Sequence, residues 1–443
     1  MKPVFPKFRS SDKELNITYD YRVSLYERHI KHTPAGYVIT EFLHDVPFSG
    51  IYNTISCAAM HHFKDGRWMH SHEVLNDYAT FWCHTGNPRL YSFPIADSIC
   101  AAAAVSGDYQ CVDALLLSLE EIHHAWDDHK TEDGMYRQLC DRDGMVYAIS
   151  GDGVRPTINS YQYADKKALS FLAARAGDTE KASQYAVEAH ILREQINKKL
   201  WNPVIGMYST VSDAGEKQNV RELIGYIPWI YGIPCEGRDE CFVNLIDPNC
   251  FLSPFGLRTA DASHPGYRGY IANHACLWNG PIWPFATAQT LTALISYLHT
   301  ESKSRITSND FLRLLMTYAY SHRDEDGTPW MDENMDPETG IWLVRDILRK
   351  TKPEICERGR HYNHSTFIDL VMTGICGIRP ALDGTLTVRP LGTSLSGFEV
   401  SDVPYHGRLL DVEWDEKLGL KLVVDQKKEY RSAASEAKIT VKI

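Results

Sequence analysis

The segment Trp330-Met331-Asp332-Glu333-Asn334-Met335-Asp336-Pro337-Glu338-Thr339-Gly340 sets one carboxylate, Glu333, between a tryptophan and an Asp-Pro-x-Thr-Gly turn. A carboxylate held on a turn beside an aromatic ring has the surroundings of a general base or nucleophile acting on a sugar. One carboxylate is not a mechanism, because cleaving a glycosidic bond takes two carboxyl groups on opposite faces of that bond. The chain must therefore supply a partner, a sugar-shaped pocket and a scaffold that holds both.

The partner is sought in loop 129–157, which carries Asp133, Asp141, Asp143 and Asp152. Long ordered loops in compact domains are usually functional. Asp143 and Asp152 each precede a glycine. Asp-Gly alone is an ordinary turn dipeptide, but here it leads into Arg155-Pro156-Thr157-Ile158-Asn159-Ser160-Tyr161-Gln162-Tyr163, a run of hydrogen-bonding and stacking groups at a helix start. Thr157 is also a natural N-cap.

Three further segments combine aromatic, amide and charged side chains. In Asn273–Phe285, Trp278 and Trp283 flank Asn279-Gly280-Pro281, as the wall of a sugar subsite would, and Pro284 opens a helix. Glu357–Phe367 contains Arg358, Arg360, Tyr362 and His364. Arg67-Trp68 and, further on, Asp97 make the last group. The 24 Tyr and 10 Trp of the chain often sit in such loops. Their flat apolar faces and polar edges suit the faces and hydroxyls of sugars.

The elements that must position these groups read as helices nearly to the end. Tyr109–His129 has apolar residues at 3/4 spacing. Asn159–Ala176 stops at Gly177, and Thr179–Leu200 follows at once, which predicts an antiparallel pair. Further helices are expected at 47–62, 71–83, 94–106, 222–232, 238–247, 282–300, 308–322, 341–350 and 363–376. Paired helices separated by long loops suit an all-α fold, an (α/α)6 toroid of two concentric helical rings whose inner ends line one pocket. After Arg379 the pattern alternates apolar and polar residues between Gly, Pro and Asp, as strands do. The expected division is 1–380 for the helical catalytic domain and 381–443 for a small β-sheet appendage packed on it.

Bulk properties narrow the class. At 443 residues, 44% hydrophobic and 23% charged, the chain has the composition of a globular protein. A net charge of −11 without a basic run argues against nucleic-acid and anionic-membrane partners. No apolar run reaches the roughly 18 residues of a membrane span. The start lacks the apolar core of a signal peptide, so a cytoplasmic location is expected. Eleven scattered Cys, with no metal-like spacing, read as free thiols in a reducing compartment. His61, His62, His70 and His72 lack the carboxylate pattern that would complete a metal site, so neither metal nor other cofactor is expected.

Four motifs in order, TINSYQY, WNGPIWPF, ENMDPETG and YNHSTF, together resemble the (α/α)6-barrel glycosidases. These are the clan of trehalases and family-63 α-glucosidases, and the similarity is greatest to the mannosylglycerate-hydrolase-like branch, over roughly residues 45–380. The resemblance implies an inverting enzyme with an Asp general acid and a Glu general base. The base maps onto Glu333. The E-S-G-x-D sequence usual around the acid is absent, which leaves Asp143 as first choice and Asp152 as its rival. Arg67, Trp68, Asp97, Asn159, Tyr161, Trp278, Asn279, Trp283, Tyr362 and His364 are the expected pocket residues. The implied activity is that of an exo-acting glycosidase on an α-linked oligosaccharide or small glycoside. Relatives often carry a β-sandwich before the barrel. Only about 45 residues precede the recognisable helices here, so the pocket is either open on one side or closed by a neighbouring subunit of a homo-oligomer.

Two other readings stay open. A polysaccharide lyase on a similar toroid would take a proton beside a uronate carboxylate, using Tyr362 or His364 with Arg358 or Arg360. A carbohydrate-binding toroid with a dead site would keep the aromatics without needing Glu333.

Overall fold

The computed structural model describes residues 4–269, 276–300 and 305–442. The chain is helix-rich, with sheet concentrated at the C-terminal end. Helices and sheet share one continuous apolar core, which runs from Phe5 to Ile439.

The longest helices fall where periodicity puts them. Pro156–Arg175 and Thr179–Lys199 form a hairpin across Ala176-Gly177-Asp178. Gly177 takes φ +82° there, a conformation that costs glycine little. The Asp178 carboxylate caps the second helix by accepting from the Lys181 amide at 3.0 Å. Pro284 begins Pro284–Leu298 at a position whose amide would have no helical partner. Glu73–His84, Ile95–Ser106 and Ser308–Tyr320 also match their expected places within a few residues.

Other segments are broken by local chemistry. The stretch expected as a helix over 47–62 makes 3₁₀ turns at Ile51–Asn53 and Ser56–Ala58 and becomes helical only at Ala59–Gly66. Tyr52 and Asn53 there lie at φ +57° and +59°, outside the right-handed region. Tyr109–His129 is interrupted at Leu115 and ends in a 3₁₀ turn at Trp126–His129. Pro228 leaves only Ile227–Ile230 of one expected helix, and 238–247 is a 3₁₀ run, Asp239–Ile246.

A helix missing from the expected set, Lys13–His29, lies before all of these. Its buried face is Leu15, Thr18/Tyr19, Arg22, Leu25/Tyr26 and His29. The spacing is helical, but Thr, Arg and His interrupt the apolar stripe. Arg22 is buried because it joins three parts of the molecule. Its guanidinium lies 3.5 Å from the Asp65 carboxylate and donates to the Ser365 hydroxyl at 3.1 Å and to the Ser365 carbonyl. Asp65 in turn accepts from the Phe367 and Asp369 amides. The segment that carries Tyr362 and His364 is thereby fixed to two helices.

The sheet differs from a purely C-terminal appendage. Its five antiparallel strands run in the order Lys7–Ser10, Gly397–Tyr405, Arg408–Asp415, Gly419–Val424, Lys428–Ser432. Phe8 pairs with Val400, Val400 with Val412, and Val412 with Leu422, which puts apolar residues on one buried face. A three-stranded sheet joins Ile378–Pro380, Thr385–Val388 and Ile439–Lys442. The five-stranded sheet meets the helices where the His406 amide donates to the Val105 carbonyl, 3.0 Å, and His70 Nε2 meets the Asp402 carbonyl, 2.7 Å.

Candidate active site

Glu333 sits on an extended stretch held from both sides. Met335 exchanges two backbone hydrogen bonds with Ile282, both 2.9 Å. The Leu343 amide donates to the Asn334 carbonyl, 2.9 Å, and the Tyr362 amide to the Met331 carbonyl, 3.3 Å. The Asp332 carboxylate turns back to accept from the Glu333 amide at 2.8 Å. Gly359 packs against that carboxylate so closely that a Cβ would lie 2.0 Å from Asp332 Oδ1, so no side chain fits there.

The Glu333 side chain is buried, with 5% of the residue exposed. Arg358 donates to its Oε1 from Nε at 3.2 Å and from a terminal nitrogen at 3.0 Å. Burial pushes the Glu333 carboxyl above its usual range, and the guanidinium opposes that push by its charge and its hydrogen bonds. Burial and the neighbouring Glu333 raise Asp332 to about 7.

Glu333 opens onto a cavity of about 310 Å³. One wall is aromatic: Trp278, Trp283, Phe285 and Tyr362, with His364 among them. Trp278 and Trp283 stack at 4.5 Å with 15° between their planes. Tyr362 and His364 lie 3.9 Å apart between ring centroids, and His364 Nε2 sits 3.2 Å from the Glu333 carbonyl oxygen. Phe42, Phe48, Ile55 and Tyr91 continue the lining, and Gly144, Val146, Cys57 and Cys276 complete it with Glu41. The structure thus brings Glu333, Trp278, Trp283, Tyr362 and His364 together, as the sequence proposes.

Glu41 was not among the residues expected. It follows the strand Gly36–Ile39. Its carbonyl accepts from the Asn363 amide at 2.9 Å, so residues 40–42 run beside 361–363. The residue is 3% exposed. The Tyr362 hydroxyl donates to its Oε1, and Cys57 Sγ lies 4.0 Å from its Oε2. Burial, with Glu333 adding to it, pushes the Glu41 carboxyl up to about 8 against the hydrogen bond from Tyr362. A lone acid in the apolar run Tyr37–Leu43 was the one sequence signal available.

Asp143 lies next to the lining residue Gly144, but its own carboxylate is taken up by a polar cluster. Arg155 Nε donates to Oδ2 at 2.5 Å, the Thr157 hydroxyl donates to the same oxygen, and the Ser92 hydroxyl donates to Oδ1 at 3.0 Å. Arg155 is also the N-cap residue of its helix, so Thr157 is spent on Asp143 rather than on capping. Asp152 is exposed and accepts from the Cys140 amide at 2.8 Å, holding a turn.

The remaining expected pocket residues point elsewhere. Arg67 and Trp68 both close on Asp369, at 2.6 Å and 2.7 Å. Asp97 starts Ile95–Ser106, where its amide donates to Asp165. Asn159 ties Tyr136 and Arg155 backbone together, with bonds of 2.8–2.9 Å. The Tyr161 hydroxyl accepts from Gln289 at 2.7 Å. Asn279 is buried and is not among the residues that line the cavity, and its carbonyl accepts from the Arg268 amide. Asn273, His274 and Ala275 fall outside the described residues. Among the described residues no cluster of three or more His, Cys, Asp or Glu could hold a metal. His61 and His62 are bonded instead to Thr366, Tyr78 and Asn363. No helix among them is long and apolar enough to cross a membrane.

Comparison with known proteins places the chain in a family. A chain titled "Sialidase" superposes with a TM-score of 0.92 at 33% identity, covering 98% of this chain and 41% of that one. The family-78 rhamnosidase of a Bacillus species matches with a TM-score of 0.62 at 15% identity, over 95% of this chain and 41% of its own. The family-63 mannosylglycerate hydrolase of Thermus thermophilus matches with a TM-score of 0.56 at 12% identity, over 80% of this chain and 99% of its own. The latter two are likenesses of fold. The chain spans about two fifths of the length of the sialidase and rhamnosidase chains. The curated proteins give no match. The family model described as the mannosylglycerate hydrolase MGH1-like glycoside hydrolase domain matches residues 51–365, and the chain belongs to that family.

Proposed function

We propose that this chain is an inverting, exo-acting glycosidase that hydrolyses an α-linked oligosaccharide or small glycoside, with Glu333 as general base. The observation that carries the reading is the buried Glu333–Arg358 pair opening onto an aromatic-lined cavity. The guanidinium favours the ionised carboxylate that a base must present. The stacked Trp278 and Trp283 offer an apolar platform for a sugar face. A volume near 310 Å³ is at the lower end of the roughly 300–1,000 Å³ of small-ligand sites, in keeping with exo action. The fold likenesses support placing the helices in an (α/α)6 toroid with the cavity at its mouth.

In this reading Glu333 takes a proton from a water that attacks the anomeric carbon from the face opposite the leaving group. Inversion needs room for that water, so the two carboxyl groups should lie about 6.5–9.5 Å apart. Asp143 fits the acid poorly, since three protein donors already occupy its oxygens. Arg358 is bonded to Glu333 and so is not placed to neutralise a uronate carboxylate, which favours hydrolysis over elimination.

The test is a panel of aryl glycosides (glucoside, mannoside, rhamnoside and uronide) and natural oligosaccharides, with the product anomer followed by NMR. Inversion is expected, and Glu333→Gln should lose about 10²–10⁴-fold in kcat. An unsaturated product absorbing in the ultraviolet would establish the lyase instead. Unchanged turnover by Glu333→Gln would remove the base assignment.

A further inference from the structure

We propose that Glu41 is the general acid of this site, the proton donor that faces the leaving oxygen while Glu333 handles the water. This rests on the hydrolase reading above. Glu41 and Glu333 are the two carboxylic acids among the residues that line this cavity. They are held in opposite ways. Glu333 carries a guanidinium on Oε1. Glu41 carries a neutral hydroxyl, that of Tyr362, on its own Oε1.

The other groups facing Glu41 are also acids or neutral. Cys57 Sγ lies 4.0 Å from Oε2 on the turn before Ala59–Gly66. Glu333 lines the same cavity and raises Glu41, and Glu41 in turn raises the neighbouring Cys276, Tyr91 and Tyr78. Arg358, the cation on this wall, is bonded to Glu333 instead. With Tyr362 donating to Oε1, the proton of a neutral Glu41 belongs on Oε2. The atom near that oxygen is a thiol sulfur, a weak acceptor. The proton is held inside the cavity and is not committed to a strong acceptor of the protein. Burial and Glu333 together push the group up to about 8, so it keeps its proton at neutral pH.

The chemistry balances. The bond between the anomeric carbon and the leaving oxygen breaks, its electron pair stays on that oxygen, and Glu41 Oε2 gives it a proton. The water oxygen bonds to the anomeric carbon from the other face, and its proton passes to Glu333. One water is consumed, and the proton returns from Glu333 to Glu41 through solvent after product leaves.

Glu41→Gln keeps the size of the protonated acid and an oxygen for Tyr362, so the variant should fold. We would compare wild type, Glu41→Gln and Glu333→Gln on an alkyl glycoside and on the 2,4-dinitrophenyl glycoside of whichever sugar wild type hydrolyses. Glu41→Gln is expected to lose about 10²–10⁴-fold on the alkyl glycoside, less than about tenfold on the activated one, and the alkaline limb of kcat/KM. Glu333→Gln should lose both substrates. Equal losses on both substrates for Glu41→Gln, or no loss on either, would overturn the assignment while leaving the hydrolase reading intact. A wild type inactive on the whole panel would overturn the hydrolase reading and Glu41's role with it. A second measurement needs no substrate. The infrared difference between wild type and Glu41→Gln at pH 7 should contain the carbonyl stretch of a protonated carboxylic acid, fading above pH 8. Absence of that band would overturn the proposal whatever the kinetics show.

Discussion

Arg358 places both of its hydrogen bonds to Glu333 on one oxygen, Oε1, at 3.2 Å and 3.0 Å. The pair therefore does two jobs at once. It opposes the effect of burial on the carboxylate, and it leaves Oε2 outside the guanidinium contact.

Replacing Arg358 by Met should move the acid limb of kcat/KM to higher pH. Burial raises Glu333, and Arg358 supplies the causes that lower it. Without the guanidinium the base takes up its proton at a higher pH, and activity falls there. A pH profile on one glycoside checks this, and an unmoved acid limb would detach that limb from Glu333.

Tyr362→Phe should act on the opposite limb. The Tyr362 hydroxyl lowers Glu41, which burial and Glu333 have raised to about 8. Removing the hydroxyl should carry the alkaline limb above 8. The same substitution in a Glu41→Gln background should leave the profile where Glu41→Gln put it.

Asp143→Ala should damage the fold more than the chemistry. It strands Arg155, which is fully buried. Leaving a buried charge without its partner typically costs about 3–5 kcal/mol. Thermal denaturation should show a large loss of stability, whereas Asp152→Asn, at an exposed turn, should stay close to wild type. A stable Asp143→Asn enzyme that had lost only its unactivated substrates would return the acid role to Asp143.

Glu41 should also make stability depend on pH. Its folded value, about 8, exceeds the ordinary value of 4.5. The folded protein therefore binds the proton more tightly than the unfolded chain does. The resulting stabilisation is complete below about pH 4.5 and is lost as pH rises through 8. Melting curves of wild type and Glu41→Gln across this range should converge at low pH and separate at high pH, with Glu41→Gln the more stable. Parallel curves would mean that Glu41 titrates normally.

What could be read in the sequence followed from how local each signal is. The Glu333 turn is encoded within a dozen residues, and the hairpin of Pro156–Arg175 with Thr179–Lys199 carries its own periodicity, stop and cap. Arg67, Trp68, Asn159 and Tyr161 have the right chemistry for a sugar site. Which way such a side chain points is decided by partners far off in sequence, and for Arg67 and Trp68 that partner is Asp369. Glu41 shows the converse. No motif surrounds it, and its meaning comes from Tyr362, more than three hundred positions away. The helix Lys13–His29 escaped because Arg22 and His29 sit in its buried stripe, and only the fold reveals that Asp65, Ser365 and the 361 carbonyl receive them.

The strand Lys7–Ser10 lies at the edge of a sheet whose other members all come after residue 396. Composition changes character near 380, and a recombination event or an engineer would be tempted to join or separate modules there. Such a joint would leave each half with unmet backbone groups and with Phe8 parted from Val400 and Phe398. The helical body and its sheet are therefore packed as one unit, and moving this domain into or out of a larger architecture means carrying both strands together.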